Sequence, residues 1–188
     1  MKLEEIVNVR VGTNITRIKE LNNHSVETYS YDELTDDLDG LYLESQLILK
    51  DGSMDQDDVH LSKYGDIVFS FISSKAGIVS EKNAGKVINQ NFAKLIIEDN
   101  HLDPAYLCYS LNESPSIKKQ MAISMQGSTI RKLTPATLKV LEMNLPTLEK
   151  QQMIGKAYLL SKKRVALARK EAEMEELYLL EVLNKLNQ

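Results

Sequence analysis

Apolar and polar residues alternate over Gly65-Asp66-Ile67-Val68-Phe69-Ser70-Phe71. Ile67, Phe69 and Phe71 fall on one face, and Asp66, Val68 and Ser70 on the other, which predicts a strand after a turn. Ala76-Gly77-Ile78-Val79 and the run from Gly85 to Ile97 continue the β pattern, with Gly65, Gly77 and Gly85 expected at turns. Leu3, Ile6, Val7, Val9 and Val11 predict a short helical turn leading into a strand before Gly12. Leu41 to Leu49 is strand-like. Thr28 to Gly40, with Asp32, Glu33, Asp36, Asp37 and Asp39, reads as an exposed loop, and Asp51 to Asp58 as a second acidic turn. Asp103-Pro104-Ala105-Tyr106-Leu107 opens a helix with proline in its first turn. Ser114-Pro115 starts another that ends before Gly127. Thr134-Pro135-Ala136-Thr137-Leu138 marks a turn, and Leu141, Met143 and Leu145 predict a strand that stops at Pro146.

From Thr147 onward the pattern is helical to Gln188, with Gly155 the one glycine and no proline. Tyr158, Val165, Ala172, Leu179 and Leu186 recur every seven residues. Ile154, Ala168 and Val182 fill the intervening seam, broken at Ser161 and Glu175. Leu160, Leu167, Met174 and Leu177 make a second stripe. Two stripes predict a helix covered on more than one side. Such a helix extends roughly 60 Å, more than the preceding part of the chain would cover. An extended rod is therefore expected over a helix folded back on itself. The fold class that follows is α+β: a compact mixed domain over 1–147 and one long coiled-coil helix over 148–188.

The chain has 188 residues, 43% of them hydrophobic, so it is able to bury a core. Its one cysteine, Cys108, lies between Leu107 and Tyr109 and reads as a buried small apolar residue. Without an internal disulfide, a signal-peptide pattern or a membrane-spanning run, a cytoplasmic protein with no membrane contact is expected. The net charge of −4 is unevenly spread. Residues 1–60 carry 5 basic and 14 acidic residues, residues 61–150 carry 11 and 8, and residues 151–188 carry 7 and 5. The acidity belongs to the first third, while the middle is mildly basic, with pairs at Lys118-Lys119 and Arg131-Lys132.

Motifs for catalysis are missing. No glycine-rich phosphate cradle precedes a helix. Asn144-Leu145-Pro146-Thr147 lacks the second proline and the aromatic of an amino-methyltransferase site. Ser128 lacks a glycine two residues on, where Ile130 stands, so it is no nucleophile elbow. Asp51, Ser53, Asp55 and Asp57 resemble the start of a calcium loop, but Gln56 and Ser62 replace its required glycine and glutamate. His24, His60 and His101 are far apart and read as surface residues. No cofactor and no metal are expected.

Two stretches carry a resemblance. They are Gly127-Ser128-Thr129-Ile130-Arg131-Lys132-Leu133, and then Leu141-Glu142-Met143-Asn144-Leu145-Pro146-Thr147-Leu148-Glu149-Lys150-Gln151-Gln152-Met153-Ile154. Together they resemble the specificity subunits of type I restriction–modification systems. Gly65-Asp66-Ile67-Val68 and the strand Val87 to Ala93 before the Asp103 helix resemble strands of the family's recognition domain. The resemblance covers residues 61–188 well and the first 60 only in style. A full specificity subunit resembles two tandem copies of this unit, so this chain resembles a half-subunit.

The resemblance implies a non-catalytic subunit that reads double-stranded DNA and works with a modification (methyltransferase) subunit and a restriction subunit. It implies a homodimer through Ile154, Tyr158, Val165, Ala168, Ala172, Leu179, Val182 and Leu186. Antiparallel pairing would place two recognition domains on an interrupted palindrome. Residue chemistry and loop placement nominate Ser73, Ser74, Lys75, Asn89, Gln90, Asn91, Lys118, Lys119, Arg131 and Lys132 for DNA contact. The competing reading is a non-catalytic protein-interaction or decoy module that uses the acidic first third. An enzyme with an unrecognised site ranks last.

Overall fold

A computed structural model describes residues 1–14, 27–39, 60–98, 100–126 and 132–187. A single 3-10 turn at Leu3–Glu5 leads into β1 (Val7–Val11), as the sequence predicts. β2 (Thr28–Tyr29) and helix α1 (Tyr31–Asp39) follow. β3 (Ile67–Ser70), β4 (Lys75–Ile78), β5 (Val87–Ile88) and β6 (Phe92–Ile97) come next. The remaining helices are α2 (Pro104–Glu113), α3 (Pro115–Ser124), α4 (Pro135–Lys139) and α5 (Leu148–Leu186). This is the mixed α+β architecture with a long C-terminal helix that the pattern predicts.

Four strands form one antiparallel sheet in the order β1-β6-β3-β4, and β2 pairs with β5 in parallel beside it. Alternation sorts the side chains into two cores. Ile67, Phe69, Ala93, Leu95 and Ile78 face α2 and α3, where Leu107, Leu111, Ile117 and Met121 are buried. Val68 and Phe92 face the other way and pack with Tyr29, Leu34 and Ile88. β3 is therefore covered on both faces, the expected state of a central strand rich in β-branched and aromatic residues.

Of the acidic stretch expected as a loop at Thr28 to Gly40, the described part forms a strand, Thr28–Tyr29, and a helix, Tyr31–Asp39. Ser30 begins α1 with a reciprocal cap: its hydroxyl accepts from the Asp32 N–H (3.1 Å), and its own N–H donates to Glu33 (2.8 Å). Leu34 and Asp37 turn inward. The Asp37 carboxylate accepts from Tyr29 Oη (2.6 Å), Asn83 Nδ2 (2.9 Å) and Ser80 N (3.1 Å), so this buried acid is fully engaged. Burial and the Asp37 charge push the Tyr29 phenol up, which keeps it a donor. Gly65 and Gly85 do sit at turns, each with a φ of 84° that favours glycine. Gly77 is inside β4, not at a turn. A Cβ there would come within 2.8 Å of Leu34 Cδ1, so its absence lets α1 lie close on the sheet.

Leu141 and Met143 are buried as an alternating pattern requires, but no strand forms. Their neighbour is the chain's first three residues, which supply one bridge at Lys2–Glu142 and bonds from Leu3 N to Leu141 O and Met143 N to Met1 O. The Gln120 side chain satisfies both the N–H and the carbonyl of Glu142 from the other side (2.8 and 2.9 Å). The turn at Thr134 continues into the short α4, with Thr134 Oγ1 accepting from Thr137 N. Leu41 to Leu49 and the acidic turn Asp51 to Asp58 lie outside the described residues.

α5 runs beside α2 in the same direction. At the start Gln151 is buried; its Nε2 donates to the carbonyls of His101 (2.9 Å) and Pro146 (2.8 Å), and its Oε1 accepts from Asp103 N (3.0 Å). One turn on, Gly155 meets α2 so closely that a Cβ would stand 2.7 Å from Ala105 Cβ, 2.7 Å from Asp103 Oδ1 and 2.8 Å from Tyr106 N. Asp103 Oδ1 is also the N-cap acceptor of α2 (2.8 Å from Tyr106 N). Next, Tyr158 Oη accepts from Asn112 Nδ2 at 2.9 Å. Farther along, Ala166 is buried and Arg169 pairs with Asp39 of α1 at 3.9 Å. Residues beyond Arg169 project without cover from the rest of the described chain, a length of roughly 25 Å at helical rise.

Gly155→Ala is expected to destabilise the protein by up to about 2 kcal/mol in urea unfolding. The methyl group collides with a backbone nitrogen and a capping carboxylate, a cost of about 1–3 kcal/mol that exceeds alanine's helix-propensity gain of about 1 kcal/mol. Equal or greater stability would show that the two helices part at no cost.

Candidate nucleic-acid interface

The antiparallel register fixes which loops meet. Ser70 is opposite Phe92 and Lys75, and Val11 is opposite Ala93. The ends of β1 and β3 and the starts of β4 and β6 therefore share one edge of the sheet. Three connections converge there: residues after Val11, the turn Phe71 to Ser74, and the turn Asn89 to Asn91. Phe71 N donates to Asn91 O (2.9 Å), and Leu133 N donates to Phe71 O (3.1 Å). Lys132 is thereby drawn over the edge, where its Nζ reaches Asn91 Oδ1 at 2.8 Å.

The structure thus brings together Ser73, Ser74, Lys75, Gln90, Asn91 and Lys132 from the nominated set. Ser74 has a left-handed backbone (φ 56°), and its N–H donates to Ser70 O at 2.9 Å. Ser73 N donates to Ser70 Oγ (3.2 Å), while its own hydroxyl is buried and unbonded. At the tip of the same turn Ile72 is 60% exposed. Gln90 is exposed and Asn91 half-buried. Amide, hydroxyl and ammonium groups are the chemical types that can donate to or accept from base edges and phosphates.

Asn89 has a different position. It is only 7% exposed, with Nδ2 donating to Tyr29 O (3.0 Å) and Oδ1 accepting from Asn91 N (2.9 Å). Its amide holds β2 to the Asn89–Asn91 turn and is spent inside the fold. Lys118 and Lys119 are exposed on α3, with Lys118 Nζ 2.9 Å from Glu113. Arg131 and the Gly127 to Ile130 turn lie outside the described residues. Sequence reasoning passed over Lys162, which also reaches Glu113 (3.1 Å); its spacing of four from Tyr158 on one helix face was the available signal.

The eight seam residues of α5 divide. Ile154 and Tyr158 are partly buried against the domain's own core. Val165, Ala168, Ala172, Leu179 and Leu186 are exposed and Val182 is half-buried. Leu179 is 58% and Leu186 79% exposed, and Leu167, Met174, Leu177, Leu180 and Leu183 add to the uncovered apolar surface. Burial pushes the Cys108 thiol up to about 12, an inert state. Among the described residues, no helix is long and apolar enough to cross a membrane.

The model of the family described as type I restriction modification DNA specificity domain matches residues 1–160. Among solved structures, the HsdS subunit from Thermoanaerobacter tengcongensis is 19% identical with a TM-score of 0.48, covering 92% of this chain and 39% of that one. A chain from a structure on complex assembly and conformational transition of the type I R-M system is also 19% identical, with a TM-score of 0.57, covering 97% of this chain and 42% of that one. This second likeness is one of fold. The chain spans about two fifths of the length of each of these structures. No curated protein matches in sequence.

Asn89→Ala is expected to cost about 1–3 kcal/mol in urea unfolding, because it leaves a buried carbonyl and an N–H unpaired. Gln90→Ala, one residue away, is expected to stay within about 0.5 kcal/mol. Equal effects at the two positions would contradict the division between a fold-bound and a presented amide.

Proposed function

The chain belongs to the type I restriction modification DNA specificity domain family, and from that premise we propose that it is the DNA sequence-recognition component of a type I restriction–modification complex. Residues 1–147 form the recognition unit and 148–188 the pairing helix. The observation that carries the reading is the convergence of Ser73, Ser74, Lys75, Gln90, Asn91 and Lys132 on one sheet edge, held by bonds that leave Gln90 and Lys132 exposed. Asn89 acts from behind this surface by fixing the turn. Lys118, Lys119 and Arg131 extend the basic set for phosphate contact.

The chain acts as a half-size subunit. Two copies pair antiparallel through the uncovered stripe of α5, from Val165 and Ala168 through Ala172, Leu179 and Val182 to Leu186. Ile154 and Tyr158 anchor that helix to its own domain and bound the stripe. Support comes from the exposed leucines, which a lone helix would not keep in water without cost. The dimer then addresses an interrupted palindrome with a gap set by the rods. Methyl transfer and cleavage belong to the modification and restriction subunits, and this chain supplies the address.

The decoy reading draws no support from α1. Asp37 is buried, Asp36 pairs with Lys82 (2.7 Å), Glu33 with Lys86 (2.7 Å) and Asp39 with Arg169. Those carboxylates already serve the chain itself.

Selection of random-sequence duplexes by the full chain is expected to enrich two inverted half-sites around a gap of constant length. Gln90→Ala is expected to relax one base position by about 1–3 kcal/mol and leave the gap unchanged. Enrichment of a single half-site would overturn the symmetric dimer, and no enrichment would overturn DNA recognition.

A further inference from the structure

Glu113, the last residue of α2, sits among three lysines from three different elements. Lys118 Nζ on α3 is 2.9 Å from its carboxylate, Lys162 Nζ on α5 is 3.1 Å away, and Lys75 Nζ at the start of β4 is 4.0 Å away. One negative charge among three positive ones leaves an excess of two on a partly exposed patch. Lys75 adjoins the turn that ends in Ser74, so the patch borders the presented sheet edge.

Two of the three lysines have a second contact. Lys75 Nζ also donates to Asn112 O at 3.1 Å. The Lys162 ammonium lies 5.4 Å from the Tyr158 ring centroid, within cation–π range. Burial works against a charged Glu113, but hydrogen bonds from Lys118 and Lys162 outweigh it and hold the carboxyl down to about 2. The carboxylate therefore stays anionic at neutral pH. Burial, with Lys118 and Lys162 nearby, pushes the Lys75 amine down despite Glu113. Exposed ion pairs of this kind stabilise a fold little. A pre-assembled set of ammonium groups with surplus charge suits a second anion better than it suits stability.

We infer that Lys75, Lys118 and Lys162 form one binding patch for a DNA backbone phosphate, with Glu113 as the internal anion that keeps the lysines assembled when no DNA is bound. The inference rests on the DNA-recognition reading and adds to it a residue of the pairing helix. The helix and the recognition unit then grip the same stretch of backbone. DNA binding thereby fixes the duplex relative to the rod as well as to the reading edge.

The test is the salt dependence of binding by the full chain to a fluorescent random-sequence duplex between about 50 and about 200 mM salt. Lys162→Gln is expected to reduce the slope of log affinity against log salt by about 0.9. That is roughly 3.5-fold less affinity lost across the range, alike for all sequences. Lys162→Arg is expected to restore the slope, which a purely structural role in packing would not require. Lys185→Gln, on the far end of the same helix, is expected to leave it unchanged. An unaltered slope for Lys162→Gln, or an equal fall for Lys185→Gln, would overturn the patch while leaving DNA recognition standing. If the unaltered chain shows no salt-dependent binding, both the patch and the DNA reading fall.

Discussion

The seam between α2 and α5 ties the long helix to the sheet. Asn112 shows how. Its side-chain amide accepts from Ala76 N (2.8 Å) and donates to Ala76 O (2.7 Å), filling the open edge of β4 as another strand would. The same Nδ2 group donates to Tyr158 Oη on α5. One buried amide thus joins the sheet edge, the core helix and the long helix. Gln151 and Gly155 complete the seam at its other end, one by three hydrogen bonds and one by the absence of a side chain. Such a network stabilises only when every member is paired, so it holds the helix in one orientation. In the proposed dimer, that fixed orientation would relate one reading edge to another.

Side-chain amides recur in this chain as substitutes for missing backbone partners. Asn112 serves Ala76, Gln120 serves Glu142, Gln151 serves the loop before α5, and Asn89 serves Tyr29. This use competes with DNA reading, since an amide engaged by buried backbone has nothing left for a base. Residue type alone does not separate the two uses. Asn89 and Gln90 are adjacent and chemically alike, and only burial tells them apart.

The features legible in the sequence were those with strong periodicity. The alternation of Ile67, Phe69 and Phe71, the prolines after Asp103 and Ser114, and the unbroken helix after Thr147 each impose one local geometry. The helix at Tyr31–Asp39 escaped because its inward face carries little more than Leu34 and Leu38, and its acids suggest a loop. The Ser30 and Glu33 pair three residues apart was the overlooked sign of a helix start. Gly77 and the Leu141 to Met143 segment depend on neighbours distant in sequence, α1 and the first three residues, which no local pattern reveals. At the interface, the turn at Asn89 to Asn91 interrupts a stretch whose pattern reads as one strand, splitting it into β5 and β6, and the meeting of the turns at one edge comes from strand order. Lys162 was hidden for the same reason: its partner Glu113 is 49 residues away.

Pairing of two copies through the uncovered stripe of α5 would set two reading edges at opposite ends of a rod. Light scattering on the full chain and on a Leu179→Lys variant measures this most directly. Twice the 21.3 kDa chain mass is expected for the full chain and a single chain mass for the variant. A single chain mass for the unaltered protein at concentrations well above micromolar would contradict it.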